Sequence, residues 1–74
     1  MKWIKKDHSS QQIVLGNGLI VGGVHWSIVG SWYEGYVNNF RLKKQFTTEI
    51  EAREAVENLI RHKLKDIQKE LDNV

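Results

Sequence analysis

The chain contains no cysteine and no proline. Without cysteine there is no disulfide framework and no thiolate zinc site, so stability must come from packing or from a partner chain. No apolar run approaches the roughly 20 residues that a membrane-spanning helix needs. The start, Met1-Lys2-Trp3-Ile4-Lys5-Lys6-Asp7-His8, is basic but has no apolar stretch behind it that would read as a secretory signal. These absences predict a cytoplasmic protein with no membrane contact. The three histidines, His8, His25 and His62, are scattered with no second ligand at metal spacing. Serines and threonines lack a neighbouring base, and Gly16-x-Gly18 precedes a strand and not a helix, so it builds no phosphate cradle. No metal, no cofactor and no catalysis are expected.

What is present fits one small domain. A chain of 74 residues buries only about 60% of its unfolded surface on folding and cannot hold two cores. Its net charge of +2 is unevenly spread. Residues 1–46 carry Lys2, Lys5, Lys6, Arg41, Lys43 and Lys44 against Asp7 and Glu34, a net +4. Residues 47–74 carry five cations against seven carboxylates, a net −2. One surface of the first half is therefore placed to meet a polyanion.

Glycine supplies the turn signals. Gly16-Asn17-Gly18 separates Gln12-Ile13-Val14-Leu15 from Leu19-Ile20-Val21 as a tight hairpin requires, and Gly22-Gly23 interrupts the pattern as a bulge or corner would. In the next run Val24, Trp26 and Ile28 share one face, with His25, Ser27 and Val29 on the other. Gly30 to Gly35 reads as a hairpin loop. Tyr36 to Phe46 then shows a period of two. Its even positions, including Tyr36, Phe40, Leu42 and Phe46, are largely apolar; its odd positions after Val37 are Asn39, Arg41, Lys43 and Gln45.

At Thr48 the period changes to that of a helix. Thr48-Glu49-Ile50-Glu51 fits a capping box, and Glu49, Glu51 and Glu54 complement the helix dipole. Ala52, Val56, Leu59, Ile60, Leu64, Ile67, Leu71 and Val74 form the apolar stripe, while Glu49 with Arg53 and Glu57 with Arg61 stand at i, i+4. The patterns predict an α+β domain: an antiparallel sheet of three or four strands in residues 1–46, with one long C-terminal helix, residues 47–74, packed on one face. The expected core is Trp26, Ile28, Phe40, Leu42, Phe46, Val56, Leu59 and Ile60.

The uncovered sheet face then carries His25, Ser27, Asn39, Arg41, Lys43 and Gln45. Arginine reads guanine edges, asparagine and glutamine read adenine, and lysine meets phosphate, so the face suits nucleic acid, DNA in preference to RNA. The segment from Trp26 to about Leu64 resembles the small N-terminal arm-type DNA-binding domain of phage and transposon integrases, through Phe46-Thr47-Thr48-Glu49-Ile50-Glu51-Ala52 opening the helix and Trp26 twenty residues upstream. The resemblance implies a sheet laid in the major groove with a helix behind it. With no catalytic domain, it implies a freestanding accessory or regulatory protein of mobile-element type.

A rival reading is a protein-interaction module, such as a phage-encoded modulator of a host protein. Trp32 and Tyr33 crowd one expected loop and suit a partner contact. The helix from Thr48 to Asn73 would run about 39 Å, past an eight-residue strand of about 27 Å. Leu64, Ile67 and Leu71 on the overhang then either pair two copies as a homodimer or lie under the N-terminal segment with Trp3 and Ile4.

Overall fold

A computed structural model describes residues 2–16, 18–38 and 40–73. Five strands, β1 (Lys2–Lys5), β2 (Ser10–Val14), β3 (Ile20–Ser27), β4 (Trp32–Val37) and β5 (Phe40–Arg41), precede a single helix, α1 (Glu49–Asp72). The strands form one antiparallel sheet in chain order, β1-β2-β3-β4-β5. The α+β class is as expected; the strand count is five and not three or four.

The differences have local causes. The N-terminal segment joins the sheet as β1, pairing Trp3 with Ile13 and Lys5 with Gln11. Gly22 and Gly23 do not break β3. The irregularity lies at Ile13/Val14, which pair with Gly22 and Ile20. The loop expected at Gly30–Gly35 closes earlier, at Ser31, whose φ of 58° makes the turn, so Trp32 to Val37 is free to form β4. The long strand expected from Tyr36 to Phe46 is interrupted at Asn38, with φ 56°, a left-handed conformation that asparagine tolerates better than most residues. Asn39 and Asn17, each expected within a strand or turn, lie outside the described residues.

The Asn38 turn inverts the parity of the pattern. Val37 pairs with Phe40, so both face α1, whereas Tyr36 pairs with Arg41 on the opposite face. Tyr36 was expected under the helix and Val37 outside; the hairpin exchanges them. Val37 is buried and Phe40 is 53% exposed. Ile28, also expected in the core, is 80% exposed in the β3–β4 turn, because the ladder ends at Ser27–Trp32.

The buried core consists of Ile13, Val24, Val37, Phe46, Ala52, Val56 and Ile60. Trp26 packs on Tyr33 at 4.7 Å between ring centres, and Phe46 is tied to Tyr33 by two backbone hydrogen bonds. Along α1, the Thr48 Oγ1 accepts from the Glu51 amide at 3.2 Å, as the capping pattern predicts. Arg53 meets Glu49 at 3.0 Å. Glu57, expected to pair with Arg61, instead accepts from the Trp3 indole at 3.4 Å, while Arg61 donates to Asn58 at 3.3 Å. Arg53 also lies over the Trp3 ring, 5.0 Å from its centre. Trp3 therefore braces the proximal half of α1 and does not cover the C-terminal stripe.

Ala52, Val56 and Ile60 mark the line along which α1 meets β3 and β4. Beyond Ile60 every described residue is exposed, and the molecule extends 46 × 24 × 19 Å. The distal half of the helix projects past the sheet.

Candidate nucleic-acid interface

The pairing register fixes what the uncovered face displays. Side chains of directly paired residues lie on one side of a sheet, and successive residues alternate. Gly22 and Gly35 point toward the helix, where a Cβ on either would meet Val56. Their neighbours point away. One cross-strand row on the open face runs Ile4, Gln12, Gly23, Tyr36, Arg41. The next runs Ser10, His25, Glu34, and Ser27 pairs with Trp32 beyond it.

Three interactions shape this surface. The Ser10 hydroxyl and His25 Nδ1 are hydrogen-bonded at 2.8 Å. Arg41 reaches Glu34 at 3.5 Å, an exposed pair in which the guanidinium keeps most of its donors free. The Tyr36 ring crosses to β3 and lies over Gly23: a Cβ built there would be 2.6 Å from Oη and 2.8 Å from Cζ. Glycine at that rung is what lets the tip of the ring reach across the backbone of β3, and the ring is half-buried there. His25, Glu34, Tyr36, Asn38 and Arg41 together line a shallow open cavity.

Of the residues expected to bind nucleic acid, His25, Ser27 and Arg41 share this face. Lys43 and Gln45 are exposed but follow β5 and are not rungs of the sheet; Asn39 is outside the described residues. Tyr36, Glu34 and Gln12 join the site through register, which no single strand reveals, and Ser10, itself buried, holds the His25 ring. Of the residues expected to contact a protein partner, Trp32 and Tyr33 occupy opposite faces of β4 and are both half-buried. Trp32 folds onto Gly30, and Tyr33 packs on the helix side against Trp26. The exposed apolar residues of that turn are Ile28 and Val29. Leu64, Ile67 and Leu71 are exposed on α1.

Elsewhere, the β1–β2 connection is shaped by Asp7, whose carboxylate accepts from the Ser9 amide at 2.8 Å and the Ser9 hydroxyl at 3.1 Å. The Ser9 backbone N–H holds the Asp7 carboxyl below its ordinary value. Among the described residues no group of three or more His, Asp or Glu stands ready to hold a metal ion, and no helix is long and apolar enough to cross a membrane. Comparison with protein-family models, curated proteins and solved structures found no match.

Proposed function

We propose that this chain binds unpaired nucleic acid on the open face of its sheet and performs no chemistry on it. The observation that carries the reading is Tyr36 lying over Gly23, between the Gln12 amide on one side of its row and the Arg41 guanidinium on the other. An outward aromatic face on a sheet stacks a base without needing its identity, and flanking cations hold the phosphates. Arg41 and Lys2 are on this face; Lys43 is exposed two residues beyond β5, and Lys44 lies over the Phe46 ring at 5.6 Å.

The width of the sheet favours a single strand over a duplex. Five strands at about 4.8 Å spacing span about 20 Å between the outermost axes, more than the roughly 12 Å of a major groove. A two-stranded ribbon enters that groove; this face as a whole does not. An unpaired strand instead lies flat across it.

The test is a fluorescence-anisotropy titration with a labelled single-stranded oligonucleotide and with a hairpin duplex of the same sequence, each at several salt concentrations. Tighter binding of the single strand is expected, weakening with salt. Tyr36→Ala is expected to reduce affinity by about 1–3 kcal/mol, the worth of one stacked base. Absence of binding to either, or binding indifferent to both salt and Tyr36→Ala, rejects the reading. Preference for the duplex would restore the groove mode expected from the sequence.

A protein-interaction module is a second reading, favoured by the β3–β4 turn, where Ile28 is 80% and Val29 fully exposed. Capture of a partner from nuclease-treated lysate, lost on Ile28→Ser with Val29→Ser, supports it; capture that survives the double change refutes it.

A further inference from the structure

We infer that the distal half of α1 is the docking surface for a second copy of this chain, running antiparallel to the first. Leu64, Ile67 and Leu71 are 46%, 56% and 62% exposed, at the four-three-four spacing from Ile60 that makes one continuous seam. No described residue covers it, since the N-terminal segment is committed to β1 and Trp3 to Arg53 and Glu57.

Charge specifies the occupant and its direction. The proximal part of the overhang carries Arg61, Lys63 and Lys65; the distal part carries Asp66, Glu70 and Asp72, with Lys69 as its one cation. A parallel partner would set cations beside cations and carboxylates beside carboxylates. An antiparallel one sets each basic half against the acidic half of its mate. With the seam taken as the a and d positions of a heptad, Lys63 and Glu70 both fall at g. Antiparallel packing brings g against g, so Lys63 meets the second copy's Glu70, and symmetry repeats the pair. Neither is spent in an ion pair among the described residues: Lys63 lies over the Phe40 ring at 5.9 Å, and the carboxylate that approaches the His62 ring, at 3.8 Å, is that of Asp66. At the root of the overhang a cleft lined by Val37, Asn38, Phe40 and Lys63 lies open where the second copy's tip arrives. A seam of three exposed apolar side chains per copy is small for specific association, so the dimer is expected to dissociate in a measurable concentration range.

The experiment is sedimentation equilibrium of the full chain from about 1 µM to 1 mM, with circular dichroism confirming the fold of each variant. A reversible monomer–dimer transition is expected, abolished by Ile67→Asp, an exposed position whose change leaves the core intact. Lys63→Glu and Glu70→Lys are each expected to weaken association about threefold to tenfold, as twice-repeated surface pairs do, and the double exchange Lys63→Glu with Glu70→Lys is expected to restore it. A monomer throughout, a dimer indifferent to Ile67→Asp, or a double exchange no stronger than the single ones overturns the inference.

Discussion

Val56 stands directly over Gly35: a Cβ on that glycine would lie 2.8 Å from Val56 Cγ2. Gly22, on the neighbouring strand, leaves room for Cγ1 in the same way, with its absent Cβ 3.4 Å from that methyl. The helix rests on β3 and β4 by setting one branched side chain into a floor of two glycines. Gly35→Ala is expected to overpack the contact and cost about 1–3 kcal/mol. Val56→Ala alone opens a void, but combined with Gly35→Ala it supplies the space the added methyl needs. Urea denaturation of the two single variants and the double should show the double less destabilised than the sum of the singles. Additive losses would refute the seating.

Glu34 holds down the charge of the open face through its contact with Arg41. Glu34→Gln is expected to strengthen single-strand binding and to steepen its decline with salt, because one more cation is released to meet phosphate. Anisotropy titrations of this variant beside Arg41→Ala, which is expected to move the other way, check the sign.

Thr48 supplies the first amide acceptor of α1. Thr48→Ala is expected to lower stability by about 1 kcal/mol, and Thr48→Asp to retain it. Chemical denaturation measures both; loss in the Asp variant equal to that in Ala would deny the capping role.

Asp7 has a lowered pKa because the folded chain directs the Ser9 amide at its carboxylate. A carboxyl whose folded value lies below its unfolded one contributes stability above the unfolded value and loses it as pH falls through the folded one. The Asp7 carboxyl resonance, followed by NMR across acid pH, is expected to titrate below the ordinary aspartate range. Ser9→Ala keeps the amide and should leave most of that depression in place. An unshifted titration would contradict the geometry.

The helix was legible because its signals are local: Thr48 caps it, carboxylates fill its first turn, and no glycine or proline interrupts it. The sheet was less so, for tertiary reasons. Gly35 reads as a loop residue until Val56 is known to sit on it. Lys2–Lys5 is too short to show a period, and becomes a strand through pairing with β2. The turn at Asn38 was hidden by the alternation running through it, which reads as one continuous strand. For the candidate site, His25, Ser27 and Arg41 could be placed from their own strands. Tyr36 could not, since its side depends on the turn that follows and its posture on a glycine thirteen residues earlier in the chain.

The meander of strands in chain order has a kinetic consequence. Each strand needs only its predecessor to pair with, so loop-closure costs are small and assembly can proceed on the millisecond scale or faster. The packing of α1 on β3 and β4 is less local, and the hydrogen bond between Trp3 and Glu57, 54 residues apart, is less local still. It ties the edge strand β1 to the proximal half of α1, so truncating β1 is expected to hasten unfolding more than it slows folding, which stopped-flow kinetics of the shortened chain would check.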